Sequence, residues 1–209
     1  RFTSSLKFAF LHEDFTYFFD QDQPENRSDG SSDRLIGKYD LTYFIKDEML
    51  IKGGVEIENA QGSGSSLEDA KRTDFTSYGL FQHRPFERFK YNLSLRAGTS
   101  TAYSIPVIFS VDGCFDLSES LGLKAAYSSN YRLPTFNDLF WEPGGNPDLV
   151  PETSNSGELG MQFKKKEHRI SLTGFLINSM DLIQWQPGSG GIWSPVNIDE
   201  ANNYGIELS

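Results

Sequence analysis

Tyr131 to Phe163 reads YRLPTFNDLFWEPGGNPDLVPETSNSGELGMQF, and the reading of this stretch decides the fold. A strand pattern before it stops at Asn130, and another begins near Thr153. The roughly 22 residues between are too many for a hairpin turn; connections that long inside a folded domain are functional loops or disordered segments. This one has the chemistry of an ordered loop. Pro134, Pro143, Pro147 and Pro151 fix φ and restrict the residue before each. Phe136, Leu139, Phe140 and Trp141 offer apolar surface to fold on, while Asn137-Asp138 and Gly144-Gly145-Asn146 supply turns.

Outward from this loop in both directions, the chain alternates. Leu6, Phe8 and Phe10 interleave with Lys7 and Ala9; Leu35, Gly37, Tyr39, Leu41 and Tyr43 interleave with Arg34, Lys38, Asp40 and Thr42. The same pattern runs through Ile51, Val55 and Ile57, through Tyr91, Leu93 and Leu95, through Phe109 and Val111, through Leu121 and Leu123, and through Leu159, Met161 and Phe163. A period of two marks strands with unlike faces. It predicts about eleven strands, the last two short and centred on Val196 and Tyr204. The only candidate helical turn is residues 67–72.

Alternation does not say which face meets water, because a soluble sandwich buries the same apolar file. The connections discriminate. Long segments at residues 20–33, 61–73, 131–152 and 186–194, with an intermediate one at 99–104, alternate with short ones at 46–48, 84–87, 117–119, 164–168 and 199–202. In an up-and-down meander every second connection lies at the same end. All long loops then fall on one side and all tight turns on the other, as in outer-membrane barrels. A Greek-key sandwich has no reason to keep this parity. The expected fold is therefore all-β, an antiparallel up-and-down transmembrane β-barrel present in part. The file of Phe8, Tyr39, Val55, Leu93, Phe109 and Leu123 faces lipid, and that of Lys38, Asp40, Glu56, Lys90, Arg96, Asp112, Lys124 and Glu158 lines a polar lumen. A soluble all-β module for carbohydrate and an open porin stand as alternatives.

Composition narrows the function. The chain has 209 residues, enough for one domain at 1–209, and a net charge of −10. That charge argues against nucleic acid, whose phosphates need a basic surface. No apolar run is long enough for a membrane-spanning helix, which leaves a barrel untouched. The single cysteine, Cys114, excludes an internal disulfide and reads as an inert thiol in a strand. The chain opens at Arg1 without Met and closes at Ser209 inside a strand pattern, which reads as a piece of a longer protein with any signal removed.

No catalytic set is visible. His12, His83 and His168 share no ligand spacing, so no metal site is expected. The acidic segment 20–33 lacks EF-hand spacing and reads as a solvated loop. Gly62-Ser63-Gly64 and Gly188-Ser189-Gly190-Gly191 read as loop tips, not phosphate cradles, and Lys164-Lys165-Lys166 as a solvated turn. Tyr131, Phe136, Phe140, Trp141, Trp185 and Trp193 fall at loop bases or in long loops. They form either an interfacial aromatic girdle or a platform for a large planar solute. Arg132 either holds the loop through Asp138 or Glu152 or contacts an anionic ligand. The candidate ligand-binding residues are Tyr131, Arg132, Phe140, Trp141, Trp185 and Trp193.

The identities themselves resemble a family. Tyr131-Arg132-Leu133-Pro134-Thr135, Asp138-Leu139-Phe140, Gly145-Asn146-Pro147, Leu149, Pro151-Glu152 and Glu158-Leu159-Gly160 are similar to the TonB-dependent outer-membrane receptors. Thr173-Gly174-Phe175 with Asp181-Leu182-Ile183, and Asn202-Asn203-Tyr204-Gly205-Ile206-Glu207, resemble the following strands. The resemblance implies a barrel of about 22 strands with an N-terminal plug, of which this chain would be about half. It further implies location in the outer membrane of a Gram-negative bacterium and contact with outer-membrane lipid. Its expected partners are the TonB energy-transducing complex, acting through the plug, and a small solute such as an iron–siderophore chelate or cobalamin. Uptake, not catalysis, is the implied activity, and no cofactor is expected.

Overall fold

The computed structural model describes residues 1–20 and 22–209, without the side chains of Glu68 and Ser189; Gln21 of the acidic 20–33 segment lies outside the described residues. Ten strands follow one another: β1 (Phe2–Phe18), β2 (Arg27–Lys46), β3 (Met49–Gly64), β4 (Leu67–Phe86), β5 (Phe89–Ser100), β6 (Ile108–Asp116), β7 (Leu121–Arg132), β8 (Glu152–Lys165), β9 (His168–Pro187) and β10 (Trp193–Leu208). Among the described residues one short α-helix, α1 (Phe136–Phe140), sits in the long loop, and a single 3-10 turn spans Ser189–Gly191. Each strand pairs antiparallel with its neighbour in sequence, giving one meandering ten-stranded sheet from β1 to β10. Among the described residues no helix is long and apolar enough to cross a membrane.

The count is ten, not eleven. Val196 and Tyr204 belong to one strand, because the β9 ladder runs on from Trp193 opposite Pro187 to Leu208 opposite Leu172. Asp181 adopts a left-handed φ of 56° and drops out of that ladder together with Asp199, yet the register resumes unshifted with Glu200 opposite Met180. The expected short connection at 199–202 is thus strand. Residues 67–72 are also strand, not a helical turn, and most of 61–73 is the end of the β3–β4 hairpin, closed at residues 65–66. The alternating ends survive these corrections. Residues 19–20 and 22–26, 101–107, 133–151 and 188–192 lie at one end with the β3–β4 tip; among the described residues the opposite end has short connections only.

A single sheet has no second layer, so the sandwich is not what forms. Phe8, Leu93 and Leu123 are 75%, 43% and 41% exposed on one face. Leu35 pairs with Phe10, and Tyr43 with Phe2. Eight residues separate Leu35 from Tyr43, about 26 Å of strand at about 3.3 Å each. Tilt shortens that span toward the apolar band of about 25 Å typical of outer-membrane barrels. Beyond Leu35 the same file turns polar, with Asp33, Ser31 and Asp29 on β2 and Asn59, Gln61 and Ser63 on β3. The first four strands therefore stand above the band as a hairpin wall. On that wall His12 contacts Asp33 at 2.7 Å and Asp14 at 3.1 Å.

The other face is concave and charged. Arg34 pairs with Glu58 at 2.7 Å, Lys38 with Glu56 at 3.2 Å, and Arg72 with Asp74 at 3.0 Å. Hydroxyls meet across strands: Ser94 with Ser110 at 2.6 Å and Ser128 with Ser156 at 2.8 Å. A concavity of ≈ 430 Å³ runs along this face from Lys38 on β2 to Asn130 on β7, so the sheet curls with its ionic file inside.

The two faces predict unequal tolerance. In the full-length protein folded into lipid vesicles, Leu93→Arg costs about 2–4 kcal/mol, read as a lower urea midpoint, while Ser94→Arg costs under about 1 kcal/mol. Equal costs contradict the assignment of faces.

Candidate functional site

The long loop between β7 and β8 starts with a helical turn that its own sequence dictates. Thr135 is the N-cap: its hydroxyl accepts from the Asp138 amide at 3.1 Å, and the Asp138 carboxylate accepts from the Thr135 amide at 2.9 Å. This reciprocal capping box satisfies two end donors of a helix too short to persist alone. Asp138 then does more. Its Oδ1 accepts from the Trp185 indole N–H at 2.9 Å, and its Oδ2 lies 3.5 Å from Arg132 Nη1. Trp185 belongs to β9, so a single carboxylate couples the loop to the wall.

Arg132 ends β7 opposite Glu152, which begins β8. The guanidinium donates twice to that carboxylate, Nε to Oε2 at 2.9 Å and Nη2 to Oε1 at 2.6 Å, the fork geometry that makes such pairs strong. Glu152 Oε1 also accepts the Ile183 amide at 2.6 Å. Ile183 lies past the end of the β8–β9 ladder, so a side chain replaces the missing strand partner. Beside this polar knot Leu139, Leu149 and Ile183 form a buried apolar cluster, joined by Tyr103 and Phe140.

The loop is tied at both sides of the concave mouth. Toward β10, Asn146 donates to the Pro195 carbonyl at 3.0 Å. Asn197 accepts from the Val150 amide at 3.0 Å and donates to the Asp181 carbonyl at 2.7 Å. Gly144 has φ +127°, and a Cβ there would run into the Trp193 carbonyl oxygen, so both conformation and space require glycine. Toward β4, Arg72 donates to the Pro134 carbonyl at 2.9 Å and lies 5.7 Å from the Phe136 ring centroid. Glu142 donates its amide to Ser66 at 2.8 Å, Trp141 bridges to Leu67, and its ring meets Tyr17 of β1 edge-on at 6.3 Å. The loop thus forms a shelf across the mouth, from β9 and β10 to β4 and β1.

The six residues singled out from sequence fall into distinct places. Arg132 and Trp185 come together on Asp138. Phe140 packs on the apolar cluster and 6.5 Å from Phe136. Trp141 is at the far edge of the shelf, on Tyr17. Tyr131 is half-buried opposite Thr153, and Trp193 is 57% exposed at the start of β10. Sequence reading missed Arg72, Asn146 as a tether, and Asn197. The Asn146-Pro147 pair signals a turn, but nothing local marks Arg72 or Asn197, whose partners lie 62 and 47 residues away. Among the described residues no cluster of His, Cys, Asp and Glu could hold a metal ion.

Burial alone would push the Asp138 carboxyl up, but hydrogen bonds from Thr135 and Trp185, with the Arg132 charge, hold it below its ordinary 3.8. A depressed carboxyl stabilises the shelf above the unfolded value and loses that contribution as pH falls through the folded one. Asp138→Asn keeps the shape and discards the charge; charge-assisted bonds of this kind contribute about 1.5–3 kcal/mol. Amides of 133–151 should exchange at least about tenfold faster in this variant at neutral pH, and protection of the same segment in the wild type should fall progressively as the pH drops below the ordinary carboxylate range. Unchanged exchange contradicts the role given to Asp138.

The family model described as TonB dependent receptor-like, beta-barrel matches residues 2–209. The vitamin B12 transporter BtuB of Photobacterium profundum is 27% identical over 211 residues, 95% of this chain and 35% of that protein. BtuB of Vibrio vulnificus (strain YJ016) is 30% identical over 171 residues, 79% of this chain and 28% of that protein. The chain therefore spans about a third of the length of these curated relatives. A crystal structure of the ferric enterobactin receptor PfeA, a mutant from Pseudomonas aeruginosa, superposes with a TM-score of 0.80 at 16% identity, over 98% of this chain and 38% of that one. With one family model matched over all but its first residue, this chain belongs to the TonB-dependent receptors and supplies part of their β-barrel.

Proposed function

We propose that residues 1–209 are part of the barrel of an outer-membrane receptor of a Gram-negative bacterium that binds a scarce solute outside and passes it inward. The observation that carries this reading is the shelf: an ordered loop pinned across the mouth of a charged concave face, at the end where the long connections lie. Such an arrangement offers a fixed rim over a polar passage, which suits capture and gated entry, and the family's members are receptors and transporters rather than enzymes. Family membership also speaks against an open porin. Coupling to the TonB complex would run through a plug outside this chain, and outer-membrane lipid would meet the apolar file of Phe8, Leu93 and Leu123. The relatives named vitamin B12 transporters favour cobalamin as the first cargo to test, with ferric chelates second.

Within the six candidates we divide the labour. Arg132, Phe140 and Trp185 shape the shelf, their polar atoms and rings engaged by Glu152, the apolar cluster and Asp138. Tyr131, Trp141 and Trp193 would meet solute, with Trp141 and its neighbour Tyr17 as the leading platform. In cells carrying the intact receptor, cyanocobalamin should bind, and Trp141→Ala should weaken binding about tenfold, as for an aromatic anchor. Ferric enterobactin serves as the second probe. Binding of neither probe, or unaltered affinity in the variant, contradicts the assignment.

A further inference from the structure

The inner wall carries a basin whose charge runs against that of the chain. Lys7 of β1 is paired directly opposite Lys38 of β2. Lys52 of β3 and Lys38 both lie over the Tyr78 ring, 6.0 and 5.2 Å from its centroid. Arg96 of β5 closes the group, with Nη2 3.7 Å from Glu56. The facing carboxylates are few. Glu56 serves both Lys38 and Arg96, and Asp40 is buried and takes the Tyr78 hydroxyl as donor. Among the described residues neither Lys7 nor Lys52 makes a salt bridge.

Elsewhere on this face three arginines are matched, while Lys90 and Lys124, on either side of Cys114, make no salt bridge among the described residues. Arg34 has Glu58, Arg72 has Asp74, and Arg132 has Glu152 with Asp138. The basin thus keeps a surplus of positive charge in a protein of net charge −10. Directly opposed like charges destabilise a sheet pair. A low-dielectric cleft of one sign also concentrates counter-ions. The cavity here, ≈ 430 Å³, opens toward the hydroxyls of Ser94, Ser110 and Ser128, which add neutral donors on its far side. Its height is fixed by register: Asp40 lies between Leu35 and Tyr43, level with the middle of the outward apolar band.

We propose that this basin, formed by Lys7, Lys38, Lys52 and Arg96 around Tyr78, is an oxyanion site that takes a carboxylate or phosphate group halfway down the lumen wall. The anion is carried either by a passing solute or by an acidic side chain of a protein segment lodged in the lumen. The inference stands on the sheet's geometry and holds whichever solute the mouth selects.

The test uses the intact receptor in detergent, acetylated with a lysine-directed succinimidyl ester and read by mass spectrometry. Citrate and inorganic phosphate are the probes, and Lys90 and Lys124, on the same inner face, are the internal controls. If a mobile anion is the occupant, citrate or phosphate at about ten times its half-saturating concentration slows acetylation of Lys38 and Lys52 about tenfold. It leaves the controls unchanged, and Lys52→Gln abolishes the protection at Lys38. If a resident acidic side chain is the occupant, Lys38 and Lys52 are shielded without any probe. Salt at about 1 M, where the screening length is about 3 Å, then relieves the shielding. Either result supports the site and identifies the source. Lysines 38 and 52 reacting as fast as the controls under every condition, or shielded in a manner that salt does not change, overturn it.

Discussion

A strand presents its side chains to opposite sides at a period of two, and this structure depends on that constraint. Each strand in the band meets two different solvents, so its two files cannot be exchanged without inverting the molecule. Leu35, Tyr39 and Tyr43 look one way while Arg34, Lys38 and Asp40 look the other. The backbone imposes the rest. In hydrocarbon every N–H and C=O needs a partner within the protein, which the strand-by-strand pairing from β1 to β10 provides between neighbours. The ionic file can then be dense, because curvature turns it inward. There Arg34 finds Glu58, and Ser128 finds Ser156.

What rises above the band obeys different rules. On the β1–β4 wall the outward file turns polar, while part of the inward side lies under the loop, with Ala60 and Ala70 buried there. The long loop must hold itself together with little apolar surface. It does so by concentrating its ties on two carboxylates. Asp138 caps its own helical turn and receives Trp185; Glu152 clasps Arg132 and replaces a missing strand for Ile183. Each is a short-range solution to an unsatisfied backbone group, and together they place a rigid shelf over the concave face. For the solute capture proposed above, rigidity at that point matters, since a preformed rim spares the ordering cost that a floppy loop would impose on binding.

Much of this was legible in the amino-acid order, and the remainder was hidden for physical reasons. The period of two within the band, the parity of loop lengths, and the ordered character of the Pro- and Gly-rich segment could all be read, because each is local. The β3–β4 overhang could not. Above the band Asn59, Gln61 and Ser63 replace the outward apolar residues while Ala60 and Gly62 face inward, so the alternation of the band does not continue although the strand does. Strand β10 reads as two because residues 199–202 look like a short connection, yet the ladder to β9 resumes in the same register beyond Asp199. In the site, Arg132 with Asp138 and Glu152 were visible as possible partners. The Trp185 tie and the Asn197 clasp required a fold that brings residues 47 apart in the chain into contact.

The central claim is that the apolar file faces hydrocarbon and the ionic file faces a polar interior. Its most direct test is nitroxide accessibility in the intact receptor reconstituted into lipid, with Cys114→Ser and single cysteines for labelling. Labels at positions 93, 109 and 123 should collide with oxygen and be hidden from a water-soluble nickel chelate, with the order reversed at 94, 110 and 124. Equal accessibility of neighbouring positions, or the opposite order, would contradict the account.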